Sequence, residues 1–293
     1  VHARPSARRT GALLWVAFGA GLWGTDTVLR RPLVAYLGSI EIVLIEHLVL
    51  ALVLAPVLLL RRKEWTSLAP RDWAAVAGVA WGGSALGTVL FTEAIRAGNP
   101  TTAVLLQKMQ PIFAALLARA VLGEPLTRRF WTYLGIALSG AYLVSFGWRA
   151  PATGLRALPA ALALGAAACW GSSTVLGRFV LDKLSFPTLT ALRIVVAAPL
   201  LLALVFTGPS ESAAIGPQQW VALALLALVP GLAALLAYYR GLKHTRASLA
   251  AVAELSFPAV AALLNWTVLG ARVSGAQIAG FCIIWWVIWR IRK

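Results

Sequence analysis

Ten apolar runs of about 20 residues follow one another along this chain, with only short connections between them. They occupy roughly residues 11–29, 39–60, 73–95, 99–119, 130–147, 157–177, 187–207, 219–239, 247–269 and 275–290. A helix of about 20 mostly apolar residues crosses the ~30 Å hydrocarbon core of a bilayer. Inside that core, only helices and closed barrels satisfy every backbone polar group. The pattern predicts an all-α integral membrane protein with ten transmembrane helices. No connection is long enough to form a soluble domain. Of the 293 residues, 60% are hydrophobic and 12% charged, and the mean hydropathy is +0.82. A soluble globule needs about twice that charged share. A soluble enzyme, a disordered chain and a nucleic-acid-binding module are excluded on that ground.

The net charge is +16. In a membrane protein, basic residues gather in cytoplasmic loops. With the N-terminus inside, 18 Lys and Arg fall on the inner side and six on the outer, leaving Lys108 and Arg193 within spans. That bias predicts that both termini are cytoplasmic, as an even number of spans requires. Trp65, Trp73, Trp131, Trp148, Trp220 and Trp289 fall near span ends, where interfacial anchors sit. Arg4, Arg8 and Arg9 ahead of an apolar run imitate a signal peptide. The run is long and no A-x-A site follows, so it is read as the first span. Cys169 and Cys282 lie in apolar runs and give no disulfide framework.

The chain repeats itself at an offset of 147 residues. WGTDTVLRR at 23–31 matches WGSSTVLGR at 170–178 in six of nine places. At the same offset Trp73 pairs with Trp220 and Pro111 with Pro258, AALL at 114–117 recurs at 261–264, and VLG at 121–123 recurs at 268–270. The halves are 1–147 and 148–293, with five spans each. Five is odd, so the second half is expected to enter the membrane in the opposite direction. Inverted repeats are a common architecture of secondary transporters, whose sites lie near the midplane between the halves. Duplicated channels and membrane enzymes remain alternatives at this point.

The stretch GNPTTAVLLQKMQPIFAALLARAVLGEPLT (98–127) resembles the fourth-helix signature of EamA-type members of the drug/metabolite transporter superfamily. The second copy, RASLAAVAELSFPAVAALLNWTVLGARVS (246–274), keeps Pro258 and Leu269–Gly270 but has Ala271 where the first has Glu124. The Trp-Gly pair in the first and sixth helices is also similar to the family. The resemblance implies two inverted five-helix repeats around a cavity lined by helices 1, 3, 4, 6, 8 and 9. It implies a small-molecule substrate, with exporters of aromatic and other neutral amino acids as the branch most resembled. It also implies the bacterial inner membrane as location. Oligomeric state is left open.

A charge inside the bilayer costs about 2.5–3.5 kcal/mol even on lenient insertion scales, so it faces the bundle interior. Lys108 lies near the midplane beside Gln107 and Gln110, in a helix interrupted by Pro111. It reads as a contact for a substrate carboxylate, or else as half of a structural ion pair. Glu254, the repeat partner of Gln107, precedes Pro258 by four residues. It could hold a substrate ammonium, carry a proton or neutralise Lys108. Trp23 with Thr25 and Trp170 with Ser172 suit a pocket wall, or plain helix packing. Trp81, Tyr238 and Tyr239 are weaker cavity candidates. Glu46 in the outer third and Arg193 in the inner third are repeat partners of opposite charge, read with His47 as peripheral ion pairs or snorkelling side chains. Asp26–Arg30 and Glu93–Arg96 have the spacing of surface pairs. Gly78, Gly82, Gly83 and Gly87 read as a close-packing face.

No catalytic signature appears, and His2, His47 and His244 are too scattered for a metal site. Neither cofactor nor metal is expected. The reading is a secondary transporter exporting small metabolites, foremost amino acids, by alternating access. The alternatives are the same fold carrying cationic drugs, a channel, and a membrane enzyme using Glu254 or Asp26.

Overall fold

The computed structural model describes residues 5–98, 100–148, 156–207, 214–268, 270, 272 and 274–291. Arg4, Arg292 and Lys293, and Leu269 and Ala271 of the second signature, lie outside the described residues, as do the side chains of Arg8 and Arg9. Among the described residues every regular element is helical. Eight segments are long and apolar enough to cross a membrane: α1 (Gly11–Arg30), α2 (Ser39–Leu60), α3 (Pro70–Ala97), α4 (Thr102–Leu122), α6 (Ala157–Val180), α7 (Phe186–Thr207), α8 (Pro217–Leu242) and α9 (Ala247–Leu264). The other two expected segments are helices as well, α5 (Arg128–Phe146) and α10 (Gly275–Ile291). They stand outside the eight because α5 opens on two arginines and α10 has 17 residues.

Several segments are interrupted, and the breaks of α4 and α9 fall within one residue of the repeat offset, while α6 runs unbroken where its repeat partner α1 pauses. Segment α4 breaks at Lys108–Met109 and α9 at Glu254–Leu255. The cause is a proline a few residues on: Pro111 and Pro258 have no N–H for the preceding turn and clash with it. The chain tightens there into three-residue turns, with the Met109 N–H on the Leu106 carbonyl (3.0 Å) and the Leu255 N–H on that of Val252 (3.2 Å). Both α3 (Gly78–Leu86) and α8 (Ala227–Ala233) contain a stretch of π-helix. Segment α1 pauses at Gly24–Thr25, where the Thr25 hydroxyl donates to the Leu22 carbonyl at 2.7 Å. Gly123 and Gly270, one offset apart, have φ of 65° and 67°. Glycine reaches that left-handed region without strain, which ends α4 cleanly.

Two glycines set a matching pair of close crossings. A Cβ on Gly24 would stand 2.7 Å from the Ala261 nitrogen of α9; one on Gly171 would stand 2.9 Å from the Ala114 nitrogen of α4. These contacts are the same contact made twice, since Gly24 and Gly171, and likewise Ala114 and Ala261, are 147 apart. The α3 glycines face α6, as expected: Gly78 meets Leu176, Gly82 meets Cys169, Gly83 meets Ser173 and Gly87 meets Trp170. Outside this inner set, α2 packs on α7 and α5 on α10. The largest core cluster, including Val16, Leu134, Leu189, Tyr239 and Ile284, ties these layers together.

The two sequence halves are tied at one end of the bundle. The Asp72 carboxylate holds Lys183 at 2.6 Å, and the Glu64 carboxylate accepts the Ser185 N–H at 2.8 Å. Burial works to raise the Glu64 carboxyl. Hydrogen bonds from the Ser185 N–H and hydroxyl, from Arg61 and from Thr188 outweigh it and hold the pKa down to about 2. At the same end Glu124 accepts the Ala247 N–H at 2.6 Å, the Ser248 N–H at 3.0 Å and the Ser248 hydroxyl at 2.5 Å. That carboxylate, at the end of α4, caps the start of α9.

Candidate functional site

The broken segments α4 and α9 bring polar groups into the apolar interior. Glu254, at the α9 break, is the centre of a polar cluster inside the bundle. Its carboxylate accepts from the Tyr238 hydroxyl at 2.7 Å, the Thr174 hydroxyl at 2.9 Å and the Gln110 amide at 2.5 Å. The donors come from α8, α6 and α4, so four segments converge on one side chain. The Thr174 and Tyr238 oxygens are also 2.9 Å apart. Three donors on one carboxylate offset much of the cost of removing it from water.

Aromatic rings flank this cluster. Trp23 packs on Tyr238 with ring centroids 5.0 Å apart. Trp170 packs on Phe91 at 5.5 Å. The Trp170 indole donates to the Gly83 carbonyl at 3.1 Å, inside the π-helical stretch of α3, where carbonyls are turned out of the regular ladder. A polar tip is thereby satisfied while the ring face stays available, as an amphipathic aromatic allows.

A second polar chain runs from α7. Arg193 was expected at the periphery as an ion pair or a snorkelling side chain. It instead reaches inward, donating to Tyr239 at 2.9 Å, Ser84 at 3.1 Å and Ser173 at 3.3 Å. The reason is packing: α7 lies against α3 and α8, so position 193 faces hydroxyls rather than lipid. Glu46, its repeat partner, does form an ion pair, with Arg30 at 3.3 Å, and Arg30 also holds Asp26 at 2.5 Å. Glu93 and Arg96 pair at 3.4 Å. The His47 Nδ1 contacts the Val43 carbonyl at 2.8 Å.

The structure thus gathers Glu254, Gln110, Tyr238 and Trp23, and reaches Tyr239 through Arg193. It adds Thr174 and Arg193, which the sequence reading left out of the site. Thr174 lies in the repeated Trp-Gly motif, four residues after Trp170, and that spacing was the available signal. Lys108 is 8% exposed and sits 6.0 Å from the Phe257 ring centroid. Among the described residues it has no ion-pair partner, so the anticipated Lys108–Glu254 pair does not form: Glu254 is already occupied by Gln110, two residues on from Lys108. Gln107 and Ser172 are half-buried and make no side-chain hydrogen bond to a described residue. The Thr25 hydroxyl is spent on its own helix break. Trp81 stands apart, 49% exposed, with its indole on the Val196 carbonyl of α7 at 2.9 Å. Among the described residues no group of His, Cys, Asp and Glu could hold a metal ion.

A cavity of about 1440 Å³ opens at the end of the bundle where Glu124 caps α9. Leu13 and Trp15 of α1, Phe130 of α5 and the 243–246 connection line it.

A family described as the EamA-like transporter family matches residues 10–146 and again 157–291. The chain is 35% identical over 295 residues to the riboflavin transporter ImpX of Fusobacterium nucleatum subsp. nucleatum, with 97% of each sequence covered. It is also similar to a solved crystal structure at 19% identity, with a TM-score of 0.79 over 96% of this chain and 95% of that one. At that identity the likeness speaks to fold.

Proposed function

The chain belongs to the EamA-like transporter family, and on that premise we propose that all ten helical segments cross the bilayer as two five-helix halves, 1–147 and 148–293, of opposite orientation. The halves move a small solute past the α4 and α9 breaks by alternating access. Support comes from glycine crossings that recur 147 residues apart, from breaks and π-helical stretches that recur within two residues of that offset, and from the odd number of segments per half. The charge bias of 18 to six supports cytoplasmic termini, in a bacterial inner membrane.

The proposed cargo is a planar heteroaromatic solute of the riboflavin class. The observation that carries this is the cluster itself. Aromatic faces at Trp23 and Tyr238 stand beside a carboxylate, an amide and a hydroxyl that can exchange hydrogen bonds with ring nitrogens or a polyol chain. The relative named as a riboflavin transporter supports it. A second reading, export of aromatic and other neutral amino acids, rests on one observation. An ammonium without an ion-pair partner among the described residues (Lys108) lies at one break and a carboxylate (Glu254) at the other, opposite charges that suit a zwitterion.

Counterflow in reconstituted vesicles separates the two. Labelled riboflavin should accumulate in vesicles loaded with unlabelled riboflavin, and phenylalanine should compete poorly. Accumulation of labelled phenylalanine alone would establish the second reading. Failure of both would reject the cargo assignment and leave the fold untouched.

A further inference from the structure

The cavity at the Glu124 end is far more basic than an access path for a neutral solute requires. Arg129, Arg178, Arg240, Lys243 and Arg246 line it, against only Glu124 and Asp182. Both carboxylates are committed. Glu124 caps α9, and Asp182 holds Arg178 at 2.6 Å. Arg240 lies over the Trp15 ring at 4.4 Å. Among the described residues neither Arg240 nor Arg246 has an ion-pair partner. Between them in sequence, Thr245 is 8% exposed and its hydroxyl has no hydrogen-bond partner among the described residues. Cations gathered in excess of their counter-charges repel one another, and an anion in their midst removes that repulsion.

The geometry points to a second ligand site in this cavity, for a phosphate-bearing anion, separate from the α4/α9 cluster. None of Gln110, Thr174, Tyr238 and Glu254 lines the cavity. Phosphate fits because guanidinium groups grip it by paired hydrogen bonds. A volume of about 1440 Å³ exceeds the need of a free inorganic ion, and Trp15 and Tyr133 offer aromatic surface to the rest of the molecule. The anion is therefore an organic phosphate, either a soluble nucleotide-sized monoester or a phospholipid headgroup. The site does not depend on which cargo the transporter carries.

The test uses the full chain in nanodiscs, which expose both faces. Binding of AMP is measured in phosphatidylcholine discs, with adenosine as the neutral control. Thermal stability is measured with and without phosphatidylglycerol. AMP should bind saturably, and roughly tenfold more tightly than adenosine. Arg240→Gln with Arg246→Gln should weaken it by roughly tenfold or more. Arg62→Gln with Lys63→Gln, the same charge change on an exposed loop outside the cavity, should alter it by less than about twofold. If AMP fails but phosphatidylglycerol stabilises the protein, and only the cavity variant loses that gain, the anion is a headgroup and the site stands. Equal weakening by both double variants would reduce the effect to diffuse charge and overturn the proposal, as would binding of neither ligand. Should the cavity variant not fold, Arg246→Lys carries the test: it keeps the charge, removes the paired grip, and should still weaken binding.

Discussion

Glu254 accepts three donors with two oxygens, and each donor arrives from a different segment. Tyr238→Phe removes one of them and leaves the ring on Trp23. The loss of a charge-assisted hydrogen bond should lower stability by roughly 1.5–3 kcal/mol, measured by thermal unfolding in detergent. Glu254→Gln sets an amide hydrogen against donors that need an acceptor. It should abolish counterflow while the protein still inserts, and wild-type exchange would remove Glu254 from the mechanism. Lys108→Met separates the two cargo readings: it should leave riboflavin exchange intact and, if amino acids are carried, erase the preference for an amino acid over its decarboxylated amine. Glu254, Gln110 and both prolines were legible in the sequence because a charge, an amide or a ring without N–H is conspicuous in an apolar run. Arg193 was equally conspicuous, but its inward direction was not, and Thr174 stood out only by its spacing from Trp170. Which way a side chain turns depends on the segment packed against it.

The breaks in α4 and α9 belong to the element scale. Their prolines were visible, but the tightened turns lie two to four residues upstream, where the clash is relieved. Pro258→Ala should let α9 run on as a continuous helix and draw the Glu254 carboxylate out of reach of Thr174. Hydrogen exchange at Leu255 should slow, and counterflow should fall. The π-helical stretch of α3 had no proline to announce it; it follows from pressing a glycine face onto α6, a tertiary cause. Gly171 was legible only as half of a repeated pair, while its role needs the neighbour. Gly171→Val would push methyl groups into the α4 backbone and should destabilise the fold by about 1–3 kcal/mol, read as a lower melting temperature.

For the whole molecule, the helical segments and their order were legible almost throughout, because a run of about 20 apolar residues marks each of them. The structure adds the pairing of segments, α2 with α7 and α5 with α10, which connection lengths do not specify. Orientation is checked in a variant lacking Cys169 and Cys282. A cysteine at Ser67 should react only with reagent admitted to the cytoplasm, and one at Arg156 only with external reagent. Both reacting from the same side would sink the ten-span arrangement.

The cap that Glu124 places on α9 has no equivalent at position 271, where the repeat supplies alanine. Under the proposed alternating access, a carrier with a clasp at one mouth does not rest evenly between its two open forms. A capping contact contributes about 0.5–2 kcal/mol, enough to tilt the resting population severalfold toward the form that keeps the clasp closed. Such a carrier is kinetically rectified: half-saturation for uptake differs from half-saturation for efflux, although the final gradient is unchanged. Glu124→Ala should bring the two constants together, and identical constants in the unaltered protein would show that the clasp bears no weight in turnover.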